Sequence, residues 1–350
     1  MKMLFVSSSA PNKVNLMLEA FKSIKSLEIV PEYEKFEADS YYSNKATFID
    51  KIFHKLRIPL DRTNFNDRVY KACVEINPDI IFVVKGNALK SRVVKKIRKK
   101  FPHTKLVNWT LDDMFAKHNR SMHYTRSIKY YDLVVTSKSY NCNSDELPSL
   151  GAKDVLFQNN GFLPLIHKPC HFCDKVNYSH NVVFIGSAEL DRLKFMNAMA
   201  ASGIVINIYG VGWEKKEFAQ YMHHNLIIHH QELRGDSYSE ALSCSKISLC
   251  FLRKINRDLQ TARTVEIPAC GGFMLAERTF EHQRMFQEGV EAEYFENIDE
   301  LIEKTKYYLE DKNNNKRLEI AGNGRIKCLE GGYSLEDRAK EILDNITKRG

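Results

Sequence analysis

Short runs of β-branched and aromatic residues alternate with amphipathic helical stretches along almost the entire chain. This alternation is typical of βα units, whose strands form parallel sheets covered by helices. Ten segments have strand character: residues 3–8, 28–33, 79–85, 105–110, 132–137, 181–186, 205–209, 226–229, 247–251 and 273–275. The pattern predicts an α/β protein with two Rossmann-like domains.

The chain has 350 residues, more than one hydrophobic core usually serves. Glycine, proline, cysteine and histidine are frequent in residues 159–178, between the two groups of strand candidates. We therefore predict an N-terminal domain over 1–165, a linker over 166–179 and a C-terminal domain over 180–350, with a last helix that crosses back to the first domain. Two such domains are expected to face each other across a cleft at the carboxyl ends of their strands, where open α/β sheets bind ligands.

Composition narrows the protein class. No apolar run reaches the roughly 18 residues of a membrane span, and the first nine residues are too polar for a signal peptide, so we expect a cytoplasmic protein. Eight cysteines without a regular spacing are typical of reduced thiols. A net charge of +8 predicts anionic partners.

Basic residues are concentrated between Lys90 and Lys100. Val93, Val94 and Ile97 are spaced to form the buried stripe of a surface helix, so the lysines and arginines occupy its outer face. Two interpretations remain open: a solvated face, or a peripheral contact with an anionic membrane. Nucleic acid is not favoured, because no aromatic residues are interleaved to stack on bases.

Two glycine turns follow strand candidates in the second half. Gly186 and Ser187 end one strand, and Arg192 and Lys194 follow at the start of a helix. Backbone N–H groups at a helix start and a nearby cation are suited to a pyrophosphate. Gly210 ends the next strand, where backbone can approach a ligand closely.

Two carboxylates eight positions apart, Asp258 and Glu266, flank the start of a short helix. Thr261, Ala262 and Arg263 lie between them. Carboxylates at this position can accept hydrogen bonds from ribose and sugar hydroxyls. The alternative is structural, since an acid is favourable in the first turn of a helix and Arg263 could pair with Glu266 on the surface.

Residues 182–350 resemble the C-terminal module of the CgeB-like glycosyltransferases of GT-B fold. The resemblance is carried by Arg263, Glu266–Gly271, Glu277, Phe286, Gly289, Glu291, Phe295, Asp299–Leu301, Tyr307–Leu309, Ala321–Gly324, Tyr333 and Arg338. It implies that Glu266 holds the ribose of a nucleotide donor and that Asp258 contacts the sugar. Two departures bear on the donor's identity. Asp258 is shorter than the usual glutamate, and Ser187 replaces a frequent arginine, which leaves the diphosphate to Arg192.

Asp112 and Asp113 follow the fourth strand candidate. The segment resembles one in some retaining GT-B enzymes, in which a histidine occupies the place of Asp112. An acid there could stabilise positive charge on the sugar ring or orient an acceptor hydroxyl. The alternative is that both aspartates cap the next helix. The loops 8–13 and 85–87 are further acceptor-site candidates.

His167, Cys170, His171 and Cys173 form a compact group that could hold zinc or consist of ordinary linker side chains. Zinc usually requires a second ligand pair, so no metal is expected. The signatures of P-loop kinases, serine hydrolases and zinc proteases are missing from the sequence.

The sequence therefore predicts a glycosyltransferase. It is expected to move a sugar from a nucleotide-diphosphate sugar of UDP or GDP type to a glycan, lipid-linked or protein acceptor, with retention and without metal or other cofactor. Two alternatives remain: a nucleotide-sugar epimerase of the same fold, and a binding or coat-assembly protein without catalysis.

Overall fold

The structure is a computed structural model that describes residues 1–7, 15–33, 47–170 and 178–348. The chain divides into two compact units. The first comprises Met1–Asn159 and Leu335–Gly350, and the second comprises Asn160–Ser334. Each contains a parallel sheet covered by helices, so the predicted α/β class is confirmed.

The first unit contains a six-stranded parallel sheet. Its strands are β1 (Lys2–Ser7), β2 (Glu28–Tyr33), β3 (Ile80–Val84), β4 (Lys105–Thr110), β5 (Leu133–Thr136) and β6 (Val155–Phe157), in the order β2-β1-β3-β4-β5-β6. Its first helices are α1 (Leu16–Lys22), α2 (Phe48–Lys55), α3 (Phe65–Ile76), α4 (Ser91–Lys100) and α5 (Met122–Ser127). Met3, Leu4, Phe5 and Val6 are all buried, because helices cover both faces of the sheet.

The second unit repeats the architecture with a different strand order. Its strands are β7 (His180–Ile185), β8 (Ile206–Tyr209), β9 (Leu226–Ile228), β10 (Ser245–Cys250), β11 (Met274–Glu277) and β12 (Glu293–Phe295), in the order β12-β11-β10-β7-β8-β9. Its helices are α6 (Leu190–Ala201), α7 (Asp236–Ser243), α8 (Arg263–Ala269), α9 (Phe280–Met285), α10 (Ile298–Leu309) and α11 (Asn314–Glu330). The order reverses between β7 and β10, so the crevice beyond their carboxyl ends is the expected ligand position.

The last helix, α12 (Leu335–Thr347), is part of the first unit and packs against α1. Its face of Leu335, Ala339, Ile342, Leu343 and Ile346 is buried. The Gln158 amide also donates hydrogen bonds to the Arg338 carbonyl and to the Glu341 carboxylate, at 3.0 and 2.8 Å.

Residues 160–170 pack within the second unit. Phe162 pairs with Ser334, the Ser239 hydroxyl donates to the Ile166 carbonyl at 2.7 Å, and the Cys170 amide donates to the Ser243 hydroxyl at 3.1 Å. The predicted linker at 166–179 therefore begins in a packed segment, and its residues 171–177 lie outside the described part of the chain.

Two strands have no counterpart in the sequence prediction, β6 and β12. Each has three residues and lies at the edge of its sheet. Three residues carry little periodic pattern. The edge strand β9 has the same length and was predicted from its run of Leu226, Ile227 and Ile228, whereas β6 and β12 are defined mainly by their pairing with β5 and β11.

None of the helices in the described ranges combines the length and the apolar character needed to cross a membrane. The seven cysteines in those ranges have free thiols, and five of them are buried.

We predict that Ile342→Ala, at a fully buried position of α12, lowers the free energy of unfolding by about 2–5 kcal/mol. Leu329→Ala on α11, at a side chain that is 51% exposed, is the matched control and is expected to change stability by under about 0.5 kcal/mol. Hydrogen exchange should show weaker protection in α1 and β1. Weakening in β7 and β8 instead would contradict the assignment of α12 to the first unit.

Candidate functional site

The candidate site lies in the second unit, where the loops after β7 and β10 leave the sheet. Gly186 and Ser187 follow β7, and Leu252 and Arg253 follow β10. In a sheet of this order the neighbouring strands lead in opposite directions at that point and leave a crevice. The structure places the predicted Gly186 and Ser187 beside it.

Gly210, at the end of β8, allows the loops after β7 and β8 to touch. It has a φ of +130°, and a Cβ atom there would lie 2.2 Å from the carbonyl oxygen of Gly186. The same oxygen accepts a hydrogen bond from the Trp213 indole at 3.0 Å. Only glycine fits at position 210. This close contact therefore fixes the position of the loop that carries Gly186 and Ser187.

Arg192, which was expected to bind the diphosphate, makes its contacts within the protein. Its side chain is buried, and its guanidinium donates hydrogen bonds to the carbonyls of Ser187 at 3.0 Å and Leu252 at 3.4 Å. Burial lowers the pKa of Arg192, and the carboxylate of Glu189, 3.9 Å away, opposes that shift. The cation thus joins the loops after β7 and β10 from beneath the crevice.

Arg263, the first residue of α8, lies over the end of β7. Its Nε atom donates a hydrogen bond to the Ile185 carbonyl, and its Nη2 atom would lie 3.4 Å from a Cβ added to Gly186. Within the described ranges it forms no ion pair, so the expected alternative, a surface pair with Glu266, is not observed. Its remaining N–H groups can bind an anion above Gly186.

Arg253 is a site residue that the sequence analysis missed. It lies in the loop after β10, three residues beyond the end of the strand. Its side chain is 47% exposed, and its Nε atom donates to Glu189 at 2.7 Å. Arg253 and Arg263 are each close enough to Arg192 to lower its pKa. The sequence did contain a pattern that could have identified Arg253, since a basic residue just beyond the carboxyl end of a predicted strand is a ligand-site candidate.

Glu266 is buried in the first turn of α8. Its Oε2 atom accepts a hydrogen bond from the Tyr238 hydroxyl at 2.6 Å, and its Oε1 atom lies 3.5 Å from Nε2 of His167. Burial, reinforced by the Glu266 carboxylate, raises the pKa of Tyr238. A carboxylate can accept about four hydrogen bonds, so the remaining acceptor positions of Glu266 are available to ligand hydroxyls.

His167 completes the surroundings of Glu266. Its Nδ1 atom accepts a hydrogen bond from the Leu163 amide at 3.0 Å, which places its proton on Nε2, the atom that faces Glu266. Burial lowers the pKa of His167, and the carboxylate opposes that shift. The segment predicted as a linker thus contributes a side chain to the site.

Asp258 supports the loop after β10, whereas Lys194 lies on the surface of α6. The Asp258 carboxylate is buried and accepts hydrogen bonds from the Asn256 side-chain amide at 2.9 Å and from the Arg253 backbone amide at 3.4 Å. It therefore shapes the loop that presents Arg253. Lys194 is exposed on α6.

A chain of buried hydrogen bonds fixes the start of α8. The Thr261 amide donates to the Thr264 hydroxyl at 3.0 Å, and this hydroxyl lies 2.8 Å from Nε2 of His282. Nδ1 of His282 lies 2.7 Å from the Glu277 carbonyl, which can only accept, so Nδ1 carries the proton and Nε2 accepts from Thr264. Burial lowers the pKa of His282 to about 4. Thr261 and Ala262 thus support Arg263 and Glu266 through their backbone.

Asp112 and Asp113 lie after β4 in the first unit. Asp112 is partly exposed and forms an ion pair with Lys85 at 2.7 Å. Asp113 is fully buried, and its Oδ1 atom accepts from the Asn141 side chain at 3.0 Å and from the amides of Phe115 and Ala116 at 3.1 and 3.3 Å. Asp113 thus stabilises the turn after β4 rather than a helix, since α5 begins later and is capped by Ser121, whereas Asp112 remains accessible to a ligand. The candidate loop 85–87 begins with Lys85, and 8–13 lies outside the described residues.

The proposed zinc ligands are only partly visible. His167 faces Glu266, as described, whereas His171 and Cys173 lie outside the described ranges. In the part of the chain that the structure describes, no group of three or more histidine, cysteine or acidic side chains is placed to hold a metal ion.

We predict that Gly210→Ala displaces the Gly186 loop, because the new methyl group would meet the Gly186 carbonyl. The control is Gly203→Ala, whose φ is +92° and whose Cβ would have no neighbour within 4 Å. Both variants carry backbone strain of about 1–3 kcal/mol, and only Gly210→Ala adds the clash. Urea unfolding should therefore show a larger loss for Gly210→Ala, and equal losses would contradict the close approach.

We predict a pH-dependent stability that depends on His282. Since its folded pKa is about 4 against 6.5 for the free side chain, the unfolded chain binds the additional proton, so stability is lost as the pH falls from about 6.5 towards 4. This residue should contribute a loss of about 2 kcal/mol between pH 7 and pH 4.5. Urea unfolding of wild type and His282→Gln at both pH values measures it. An equally steep loss in the variant would contradict the prediction.

Comparisons with known proteins agree with this architecture. Residues 192–344 match the glycosyl transferase-like family model. The protein HepE from Anabaena, solved in complex with UDP-glucose, superposes with a TM-score of 0.65 at 14% identity, over 99% of this chain and 100% of that chain. Sucrose-phosphate synthase from Thermosynechococcus elongatus superposes with a TM-score of 0.64 at 9% identity, over 100% of both chains.

A putative UDP-N-acetylglucosamine 2-epimerase from Listeria monocytogenes is also similar, with a TM-score of 0.57 at 13% identity over 99% of this chain and 96% of that chain. A search of curated protein sequences found no match. The chain therefore has the GT-B fold, and its residues 192–344 match the glycosyl transferase-like family.

Proposed function

We propose that this chain is a glycosyltransferase that moves a sugar from a nucleotide-diphosphate sugar, of UDP or GDP type, to a glycan, lipid-linked or protein acceptor. The observation that carries the proposal is the convergence of Arg253 and Arg263 on the ends of β7 and β10, with the buried carboxylate of Glu266 on the same helix as Arg263. The family match includes all three residues.

The diphosphate would bind above Gly186. Arg263 lies beside Gly186 and Arg253 lies in the loop after β10, and charge-assisted hydrogen bonds from guanidinium groups suit phosphate oxygens. Arg192 supports them by holding the two loops together from below. Lys194, also predicted to bind the diphosphate, would act from the exposed face of α6.

Glu266 would accept hydrogen bonds from the ribose hydroxyls of the donor. Tyr238 and His167 keep its carboxylate in one orientation, so little conformational entropy is lost when a ligand binds. Asp258 would act on the sugar chiefly by positioning Arg253, because its own oxygens already accept hydrogen bonds within the loop.

Catalysis would depend on stabilising the charges that develop as the glycosidic bond breaks. Cations at the diphosphate assist the leaving group, which makes a metal ion unnecessary, and an acid near the ring stabilises the oxocarbenium-like state. Of the two aspartates after β4, Asp112 suits this role better, because it is partly exposed while Asp113 is fully buried. Retention of the anomeric configuration is part of the proposal.

Two further parts of the proposal are based on the sequence. Membership of the CgeB-like subfamily is inferred from the residue pattern, and a cytoplasmic location is inferred from the composition. The membrane contact predicted through α4 is supported by the exposure of Arg92, Lys95 and Lys99 on its outer face. Lys96, by contrast, lies over the ring of Tyr70 at 3.7 Å.

The epimerase remains the second candidate, because the putative epimerase from Listeria monocytogenes has the same fold. Analysis of products distinguishes the two: a transferase releases free nucleoside diphosphate in proportion to glycosylated acceptor, whereas an epimerase first changes the configuration of the donor sugar. A binding protein without catalysis would be stabilised by the nucleotide and would yield neither product.

We predict that UDP or GDP raises the melting temperature of the wild-type protein, because a ligand at a hundred times its dissociation constant stabilises by about 2.7 kcal/mol. Glu266→Ala and Arg263→Ala should each weaken binding about tenfold to a hundredfold, since each removes charge-assisted hydrogen bonds of about 1.5–3 kcal/mol. Thermal shift and isothermal titration with both nucleotides measure this effect.

Glu240→Ala is the control for Glu266→Ala, because Glu240 is an exposed carboxylate on the neighbouring helix α7. Its affinity for nucleotide should equal that of wild type. If Glu266→Ala and Arg263→Ala bind UDP and GDP as tightly as this control, the proposed donor site is wrong.

A further inference from the structure

Helix α2 has the reverse of the usual amphipathic arrangement. Phe48, Ile49, Ile52 and Leu56 are 77%, 58%, 41% and 52% exposed, whereas the charged Asp50 is 3% exposed. At 100° per residue the four apolar side chains lie within an arc of about 100°, so they form one continuous stripe. We refer to these four residues as the apolar stripe.

The inward face of α2 explains why the stripe points outward. Thr47 and Asp50 form a capping box that starts the helix, and Asp50 also makes an ion pair with Arg62. Arg57, after the helix, donates to the Lys117 carbonyl at 3.2 Å and accepts from the Met122 amide at 2.9 Å. Polar contacts at both ends therefore hold α2 in place without the four residues of the apolar stripe.

The surroundings of the stripe are cationic. Lys51 and Lys55 are exposed along one side of it. On the other side, Phe53 lines a cavity of about 610 Å³ between α2, α4 and α5. The basic side chains of this cavity are Arg62, Lys90, Arg92, His123 and Arg126, and its one acid among the described residues is Asp61, which pairs with Lys90.

The positive charge continues along α4. Arg92, Lys95 and Lys99 are exposed on its outer face, and the nearby Arg126 of α5 is exposed as well. None of these four forms an ion pair with any described residue. Unpaired cations next to exposed apolar side chains are the combination by which peripheral proteins bind anionic bilayers, because each signal alone gives marginal affinity.

We propose that α2 inserts its apolar stripe into the interface of an anionic membrane, while the cations of α4 and α5 contact lipid phosphates. The proposal is independent of the donor site and extends the membrane contact predicted for α4 to a helix that the sequence analysis did not single out. A second copy of the chain is disfavoured as the occupant, because pairing two such surfaces would bring cations against cations.

Co-sedimentation of the full chain with vesicles tests the proposal, using phosphatidylcholine alone and phosphatidylcholine with phosphatidylglycerol. We expect binding to the anionic vesicles that weakens as salt rises. The double variant Phe48→Ser, Ile52→Ser should lower the partition coefficient at least about tenfold, since it removes two side chains that leave water. The double variant Arg92→Gln, Lys95→Gln should lower it about tenfold and reduce its dependence on salt.

The matched control is Ile326→Ser, Leu329→Ser on α11, whose side chains are 53% and 51% exposed in the second unit. It should bind vesicles like wild type. The proposal is overturned if the α2 variant also binds like wild type, which would mean that charge alone drives binding. It is equally overturned if wild type ignores the vesicles and light scattering shows a dimer that the α2 variant loses. Nucleotide-induced thermal shifts should be unaffected in all of these variants, so failure here is distinguishable from failure of the donor site.

Discussion

The buried guanidinium of Arg192 is the contact on which the candidate site depends. It joins the carbonyls of Ser187 and Leu252, which leave the sheet after two strands whose connections run to opposite sides. A buried cation is costly unless its N–H groups are satisfied, so the two loops must keep the separation at which both carbonyls can accept. The crevice above them, and the positions of Arg253 and Arg263, follow from that constraint.

A second layer of buried polar contacts orients the residues around the crevice. Tyr238 and His167 hold the Glu266 carboxylate, and the hydrogen bonds from Thr261 through Thr264 to His282 fix the start of α8. These groups lie on four separate segments of the second unit. Because each polar group has a partner, the site is organised before a ligand arrives, which favours binding of an anionic ligand at low entropic cost.

In the first unit, helix α2 differs from the other helices in which of its residues are buried. Most helices of this unit bury their apolar faces against the sheet, but α2 is held by Asp50, Thr47 and the backbone around Arg57, and it presents its apolar residues to solvent. Exposed apolar side chains of this number on one short helix contribute nothing to folding. Because these residues lie beside the cationic surface of α4 and α5, the partner that we propose for them is an anionic bilayer.

The residue pattern was sufficient to predict the fold class and ten of the twelve strands of the described residues, because buried parallel strands are apolar runs that alternate with segments of helical periodicity. It also indicated Arg263 and Glu266, which lie on one helix. Within a helix, the separation of two residues along the sequence fixes their separation in space. Only the tertiary structure assigned Arg192 to the interior, added Arg253 and His167 to the site, and turned the apolar face of α2 outward. These depend on contacts between segments distant in sequence, such as Arg192 with Leu252 and His167 with Glu266, and local pattern contains no information on which distant groups will satisfy one another.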